Sequence, residues 1–247
     1  MTSDFSGKTI LITGAASGFG RELAERLSAL GANLVLGDLN AAGLDELADN
    51  LSGKIVPVCC DVTREDDVQT LCERAKDAFG GLDIAVNNAG FAPPMKGLLE
   101  TSEDDLDRAF AVNAKGVFFG MKHQIPLMKE HGGAILNVAS VAGLNAAPKL
   151  ISYAAAKHAV VGMTKTAAVE FARDNIRINA ICPFFSPTPL MTESGFADKQ
   201  DFLSSGVPMK RLGEPAEIVE TMMSLIHPGN TYLTGQALAV DGGVMAL

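Results

Sequence analysis

The 247-residue chain is short of positive charge: 20 Lys and Arg stand against 29 Asp and Glu, a net charge of −9. That balance argues against a nucleic acid partner, because such binding draws most of its affinity from clustered Lys and Arg. Long apolar runs are missing too, with none near the ~18 residues that a membrane span requires. Residues 1–8 carry no basic stretch leading into an apolar segment, so the expectation is a cytoplasmic protein with no membrane partner. Cysteine is sparse, and Cys59, Cys60, Cys72 and Cys182 form no Cys-x-x-Cys pair and have no His at zinc-ligand spacing. Free thiols and no metal site are expected, with adjacent Cys59 and Cys60 facing opposite sides of a strand.

What the chain has is apolar material, 47% of its residues, arranged in alternating patterns. Short β-like runs fall at 9–12, 33–36, 55–59, 84–86, 134–138, 176–181 and 237–240. Most are apolar on both faces, as in a parallel sheet covered by helices. Helical periodicity lies between them. The first helix puts Phe19, Leu23, Leu27 and Leu30 on one face and stops at Gly31, and others are expected at 41–50, 65–79, 103–129, 152–173 and 215–226. Regular βαβ alternation predicts an α/β, single-domain, Rossmann-like doubly wound parallel sheet of about seven strands with helices on both faces, spanning 1–247. The exception is 183–211, with four prolines and weak periodicity. Beyond the carboxyl end of a strand such an excursion reads as a mobile substrate lid, at about 184–211.

Thr13-Gly14-Ala15-Ala16-Ser17-Gly18-Phe19-Gly20 joins the first strand to the first helix. Its glycines allow close backbone approach to a pyrophosphate, and the helix opening offers unpaired N–H groups with a positive dipole end. Asp38 ends the second strand eighteen residues beyond Gly20, where a carboxylate accepts ribose hydroxyls and repels a 2′-phosphate. No basic residue follows at 39 or 40, so NAD is expected over NADP. Asp61-Val62 and Asn87-Asn88-Ala89-Gly90 occupy the equivalent turns after the third and fourth strands.

The chemistry-bearing group is Ser140, Tyr153 and Lys157. Tyr-x-x-x-Lys is weak evidence alone. In a helix it stacks phenol and ammonium on one face, and Ser140 exits a strand at the sheet edge that carries the glycine turn. A phenol of pKa about 10 is too weak a base near neutrality. A neighbouring ammonium, with the positive ring of an oxidised nicotinamide, is expected to lower it so that Tyr153 can take an alcohol's proton while Ser140 steadies the same oxygen.

In motif order, Thr13-Gly14-x-x-x-Gly18-x-Gly20, Asp61, Asn87-Asn88-Ala89-Gly90, Asn113, Ser140, Tyr153-x-x-x-Lys157, and Pro183 with Thr188, the chain resembles the short-chain dehydrogenase/reductase family over nearly its full length. The resemblance implies a catalytic tetrad of Asn113, Ser140, Tyr153 and Lys157, with Asn113 supporting a proton relay through a water. It implies that Lys157 holds nicotinamide ribose hydroxyls, that Thr188 contacts the carboxamide, and that Asp61, Val62, Asn88 and Gly90 line the adenosine and ribose cleft. The cofactor-binding set is then Gly14, Ser17, Gly18, Phe19, Gly20, Asp38, Leu39, Asp61, Val62, Asn88, Ala89, Gly90, Tyr153, Lys157, Pro183 and Thr188. A homotetramer built on the helices at 103–129 and 152–173 is also implied, with the apolar tail 244–247 packing on a neighbour or on its own subunit.

One departure stands out: where the family commonly has Pro-Gly and an aliphatic residue, this chain reads Pro183-Phe184-Phe185-Ser186. A phenylalanine is strained in a glycine-only conformation, so the loop is reshaped or its rings wall the substrate pocket. Pocket candidates are Phe91, Pro94, Met95, Leu144, Asn145, Leu150, Phe184, Phe185 and Met191, mostly apolar, with Lys96 and Lys149 the nearby cations. The expected substrate is an apolar or cyclic secondary alcohol or ketone. The alternatives are a 3-oxoacyl thioester reductase and a non-catalytic NAD(H)-sensing protein.

Overall fold

The computed structural model describes residues 5–246; the sequence readings on residues 1–4 and 247 lie outside the described residues. Seven strands, β1 (Thr9–Thr13), β2 (Asn33–Asp38), β3 (Ile55–Cys59), β4 (Ile84–Asn87), β5 (Gly133–Val138), β6 (Ile176–Pro183) and β7 (Ala237–Val240), form one parallel sheet. Their spatial order is β3-β2-β1-β4-β5-β6-β7. The helices are α1 (Gly18–Ala29), α2 (Ala41–Asn50), α3 (Glu65–Phe79), α4 (Glu103–Phe110), α5 (Gly116–Met128), α6 (Ile151–Glu170), α7 (Pro189–Met191), α8 (Gln200–Ser205) and α9 (Pro215–Ile226). No helix among the described residues is long and apolar enough to cross a membrane.

The period of two along each strand sorts its side chains into two cores. Ile10, Ile12, Leu34, Leu36, Ile84 and Val86 join Leu23, Leu27, Leu44, Leu47 and Met222, from α1, α2 and α9. Leu11, Val35, Ala85, Ile135 and Ile178 join Leu71, Met121, Ile125 and Val160, from α3, α5 and α6. Each fully buried Leu or Ile contributes about 1.5–3 kcal/mol, so helix layers on both faces suffice to hold the sheet. Local signals agree: α3 opens on Glu65, Asp66 and Asp67 and closes on left-handed Gly80, which suits the helix dipole and its C-terminal cap.

The chain winds outward through β1, β2 and β3, then returns past β1 to β4. At that reversal the carboxyl ends of β1 and β4 diverge and leave a crevice. Two features depart from the sequence reading. The segment read as one helix over 103–129 is broken by a π-helical turn, Ala111–Lys115, that holds Asn113. The segment read as an aperiodic lid is a chain of short helical turns: α7, a π turn at Thr192–Phe196, a 3-10 turn at Ala197–Lys199, and α8.

Candidate active site

The glycine turn is held by backbone fit. Gly14 (φ +65°) and Gly18 (φ +53°) occupy the left-handed region, which glycine enters without penalty. A Cβ on Gly20 would lie 2.1 Å from the Gly14 carbonyl oxygen, so α1 can approach this closely only with glycine there. Asn88 fastens the turn to β4: its Nδ2 donates to the carbonyl oxygens of Thr13 (3.0 Å) and Gly14 (2.9 Å). The Thr13 hydroxyl in turn accepts from the amides of Asn88 (3.0 Å) and Ala89 (3.1 Å). Ser17, the N-cap of α1, makes no side-chain cap bond, and the first turn has no acid, so its amides are available to an anion.

Asp38 stands at the end of β2 with one carboxylate oxygen accepting from Ala16 N and the other from Asn40 N, each at 2.9 Å. Each oxygen keeps a further lone pair for a ligand. Asp61 accepts from the amide (2.9 Å) and hydroxyl (2.7 Å) of Thr63, while neighbouring Val62 packs where Gly116 leaves room at the start of α5.

At the chemical end, Lys157 is buried, and its Nζ donates to the carbonyl oxygen of Val138, the last residue of β5, at 2.7 Å. Burial pushes this ammonium down to about 8. The Ser140–Gly143 exit turn docks on the same helix: a Cβ on Gly143 would lie 2.6 Å from the Lys157 carbonyl oxygen. Ser140 Oγ accepts from Ala142 N at 3.2 Å, and the Ser140 side chain acts to lower the Tyr153 phenol. The Tyr153 ring lies 5.6 Å from Lys157 Nζ. One expectation is sharpened here. The chain's own groups push the phenol up to about 12, because burial outweighs the lowering effect of Ser140, so the expected lowering needs the positive nicotinamide ring as well.

Asn113 is fully buried, with its Nδ2 donating to Phe91 O (2.8 Å) and its Oδ1 accepting from Phe91 N (3.0 Å). It clasps the loop after β4 at a π turn, a helix irregularity that recurs at functional sites. Gly90 sits between the two deepest members, since a Cβ there would lie 3.3 Å from Asn113 Oδ1 and 3.9 Å from Lys157 Nζ.

One cavity of about 1270 Å³ gathers these groups. Gly14, Ser17, Gly18, Phe19, Asp38, Leu39, Asp61, Val62, Asn88, Ala89, Gly90, Ser140, Tyr153, Lys157, Pro183 and Thr188 all line it, whereas Gly20 and Asn113 lie behind the wall. Of the pocket candidates, Phe91, Met95, Leu150, Phe184, Phe185 and Met191 line it; Pro94, Leu144 and Asn145 do not. Lys96 is drawn away into an ion pair with Asp105 (2.7 Å), and Lys149 is outside the wall. Phe184 is not among the positive-φ residues. Its amide instead donates to Val240 O at 3.2 Å, so no glycine conformation is needed and the rings do wall the cavity. Phe184 and Phe185 meet edge to face at 5.0 Å, and Phe185 meets Phe196 at 4.9 Å. Arg108, Phe196, Lys199 and Leu203 also line the wall, and the sequence reading missed them because a lone cation or ring on a short polar helix looks solvated.

A family model described as enoyl-(acyl carrier protein) reductase matches residues 14–245. The chain is 39% identical to the 3-oxoacyl-(acyl-carrier-protein) reductase FabG of Thermotoga maritima, over 97% of this chain and 98% of that protein. It is likewise 39% identical to 2,5-dichloro-2,5-cyclohexadiene-1,4-diol dehydrogenase of Sphingobium indicum, over 99% and 100%. Among solved structures it superposes with a TM-score of 0.91 on a 3-ketoacyl-(acyl-carrier-protein) reductase from Brucella melitensis complexed with NADH, at 36% identity over 97% of this chain and 99% of that one.

Proposed function

Because the chain belongs to the short-chain dehydrogenase/reductase family, oxidoreductases of alcohols and ketones, we propose that it moves hydride between NAD(H) and a secondary alcohol or ketone on an apolar, alicyclic ring. The observation that carries this reading is the meeting of Ser140, Tyr153 and Lys157 in the cavity that the glycine turn and Asp38 also line. Ser140 holds the carbinol oxygen by a hydrogen bond, and Tyr153 accepts its proton. The hydride leaves the carbinol carbon as the C=O bond forms. When bound, the oxidised dinucleotide supplies the hydride acceptor and a positive charge that favours tyrosinate.

The residues fit that group. The open amides of α1 at Gly18 suit its pyrophosphate, and Asp38 suits the ribose hydroxyls of NAD and opposes a 2′-phosphate. Leu39, Asp61 and Val62 wall the adenosine, Lys157 holds the nicotinamide ribose, and Thr188 meets the carboxamide. Asn113 holds the loop at Phe91 and, through it, the relay beside Lys157. The apolar wall of Leu150, Phe185, Met191 and Phe196 beside Tyr153 favours a compact ring, the shape named in the Sphingobium relative's substrate. Residues 184–211 act as the lid of a single domain. Exposed Leu106, Phe118 and Val169 on α4, α5 and α6 suit burial in a homotetramer of a cytoplasmic enzyme.

Identity to the Thermotoga protein favours a second reading, reduction of 3-oxoacyl thioesters. A panel of ring alcohols, ring ketones and 3-oxoacyl thioesters, each with NAD(H) and NADP(H) and followed by dinucleotide absorbance in both directions, separates the two. Ring substrates with NAD(H) are expected to lead; a lead for thioesters with NADP(H) overturns the proposal.

A further inference from the structure

The charges on the cavity wall are unevenly placed. Among the described residues its carboxylates, Asp38 and Asp61, stand at the strand ends of the dinucleotide side. At the mouth, between the loop after β4 and the lid, the lining charges are Arg108 and Lys199. The chain is strongly acidic, and Lys8, Arg21, Arg26, Arg64, Lys96, Lys122 and Arg211 each pair with a carboxylate. Arg108 and Lys199 pair with none among the described residues, which is also true of surface cations such as Lys54 and Arg74; what sets these two apart is that they line the cavity.

Both cations rest on rings. The Arg108 guanidinium lies 4.2 Å over Phe91. Stacking uses the face of the group and leaves its in-plane N–H fork free for a carboxylate-like partner. The Lys199 ammonium lies 5.6 Å over Phe196, and its one hydrogen bond, at 3.3 Å, is to the Met95 sulfur, a weak acceptor that leaves strong donors unused. The two platforms approach across the mouth, where the Ser194 hydroxyl, bonded to Leu190 O at 2.5 Å, also lies 3.1 Å from Ala92 O.

We propose that Arg108 and Lys199 form an anion-recognition site for an acidic substituent of the substrate, a carboxylate or sulfonate carried on the ring away from the carbon that reacts. This rests on the hydride-transfer reading, with the ring against the Phe185 wall and the charged group at the mouth.

The test compares 4-oxocyclohexanecarboxylate with cyclohexanone, bound to the full chain in the presence of oxidised dinucleotide, where no turnover occurs, by titration calorimetry. The keto acid is expected to bind about tenfold or more tighter, the range of charge-assisted hydrogen bonds, with the advantage shrinking as salt rises. Arg108→Gln with Lys199→Gln is expected to bring the ratio near unity, and Lys199→Arg to keep it. An unchanged ratio in the double variant overturns the proposal. So does an equal loss of NADH affinity measured without the keto acid, because it would assign the cations to the dinucleotide phosphates. Turnover of cyclohexanol, measured separately, reports on the hydride reading alone.

Discussion

The two ends of the cavity are built by different means. The dinucleotide end is shaped by main chain: Gly14 and Gly18 bend it, Gly20 lets α1 approach, and Asn88 ties the turn to β4 through peptide oxygens. The substrate end is shaped by side chains, with Phe184, Phe185 and Phe196 meeting ring to ring across the sheet edge and the lid. A wall of backbone admits almost no substitution, whereas a wall of rings can be exchanged without moving a strand. The first end is therefore expected to bind what every relative binds, and the second to carry what is particular to this chain.

The sharpest way to break that contrast lies where the ends meet. Tyr153→Phe is expected to lower kcat for alcohol oxidation by about a thousandfold, within the usual range for losing a general base, while NAD affinity by titration stays within a few-fold. Retained activity would remove Tyr153 from its role. On the backbone side, Gly20→Ala forces a methyl against the Gly14 carbonyl and is expected to cost about 1–3 kcal/mol in denaturant unfolding, with a matching loss of dinucleotide binding. A neutral result would show that α1 can retreat.

A smaller effect is expected from Asp38→Ala, which should narrow the NAD over NADP preference by about tenfold, about 1.4 kcal/mol, read as the ratio of dissociation constants. An unmoved ratio would place cofactor choice elsewhere. Smallest is the pH response of stability. Lys157 is lowered to about 8, so between pH 8 and its ordinary value the unfolded chain holds a proton that the folded chain has released. This group's share of stability rises with pH across that window and is lost as pH falls through 8. Tyr153, raised to about 12, and the thiols of Cys60, Cys72 and Cys182, raised to about 12, 12 and 11, act in the opposite sense. Their share is lost as pH climbs past their unfolded values. In chemical denaturation the parent is expected to gain stability relative to Lys157→Met as pH rises from 7 to 9, the thiols being common to both; a difference that stays flat or shrinks would contradict it.

Much of the fold was legible because buried parallel strands read as short apolar runs and their helices as one-sided stripes. Cys59 and Cys60 show how far that reaches: alternation put them on opposite faces of a strand but could not say which face is open, and they are exposed and buried respectively. The π turn around Asn113 was not legible, because its residues continue the helical pattern of α4 into α5 and only the hydrogen-bond register changes. The lid's turns were hidden by prolines, which mark breaks without saying that Pro189 begins a helix. Arg108 and Lys199 were hidden for another reason: their placement depends on rings, Phe91 in the loop after β4 and Phe196 one turn before Lys199, whose position at the cavity the pattern does not show. The depth at which Tyr153 and Lys157 are enclosed was not legible either, because spacing gives the neighbour of Tyr153 but not its burial.

The contact between Gly143 and the Lys157 peptide makes the oxygen-holding turn and the amine-bearing helix a single rigid block. Residues 184–211 reach that block through Phe185, Met191, Phe196 and Leu203, which cluster with Leu150 and Tyr153. Exchanges among those side chains can then reshape the cavity while the glycine at 143 keeps the Ser140 turn seated on the Lys157 helix.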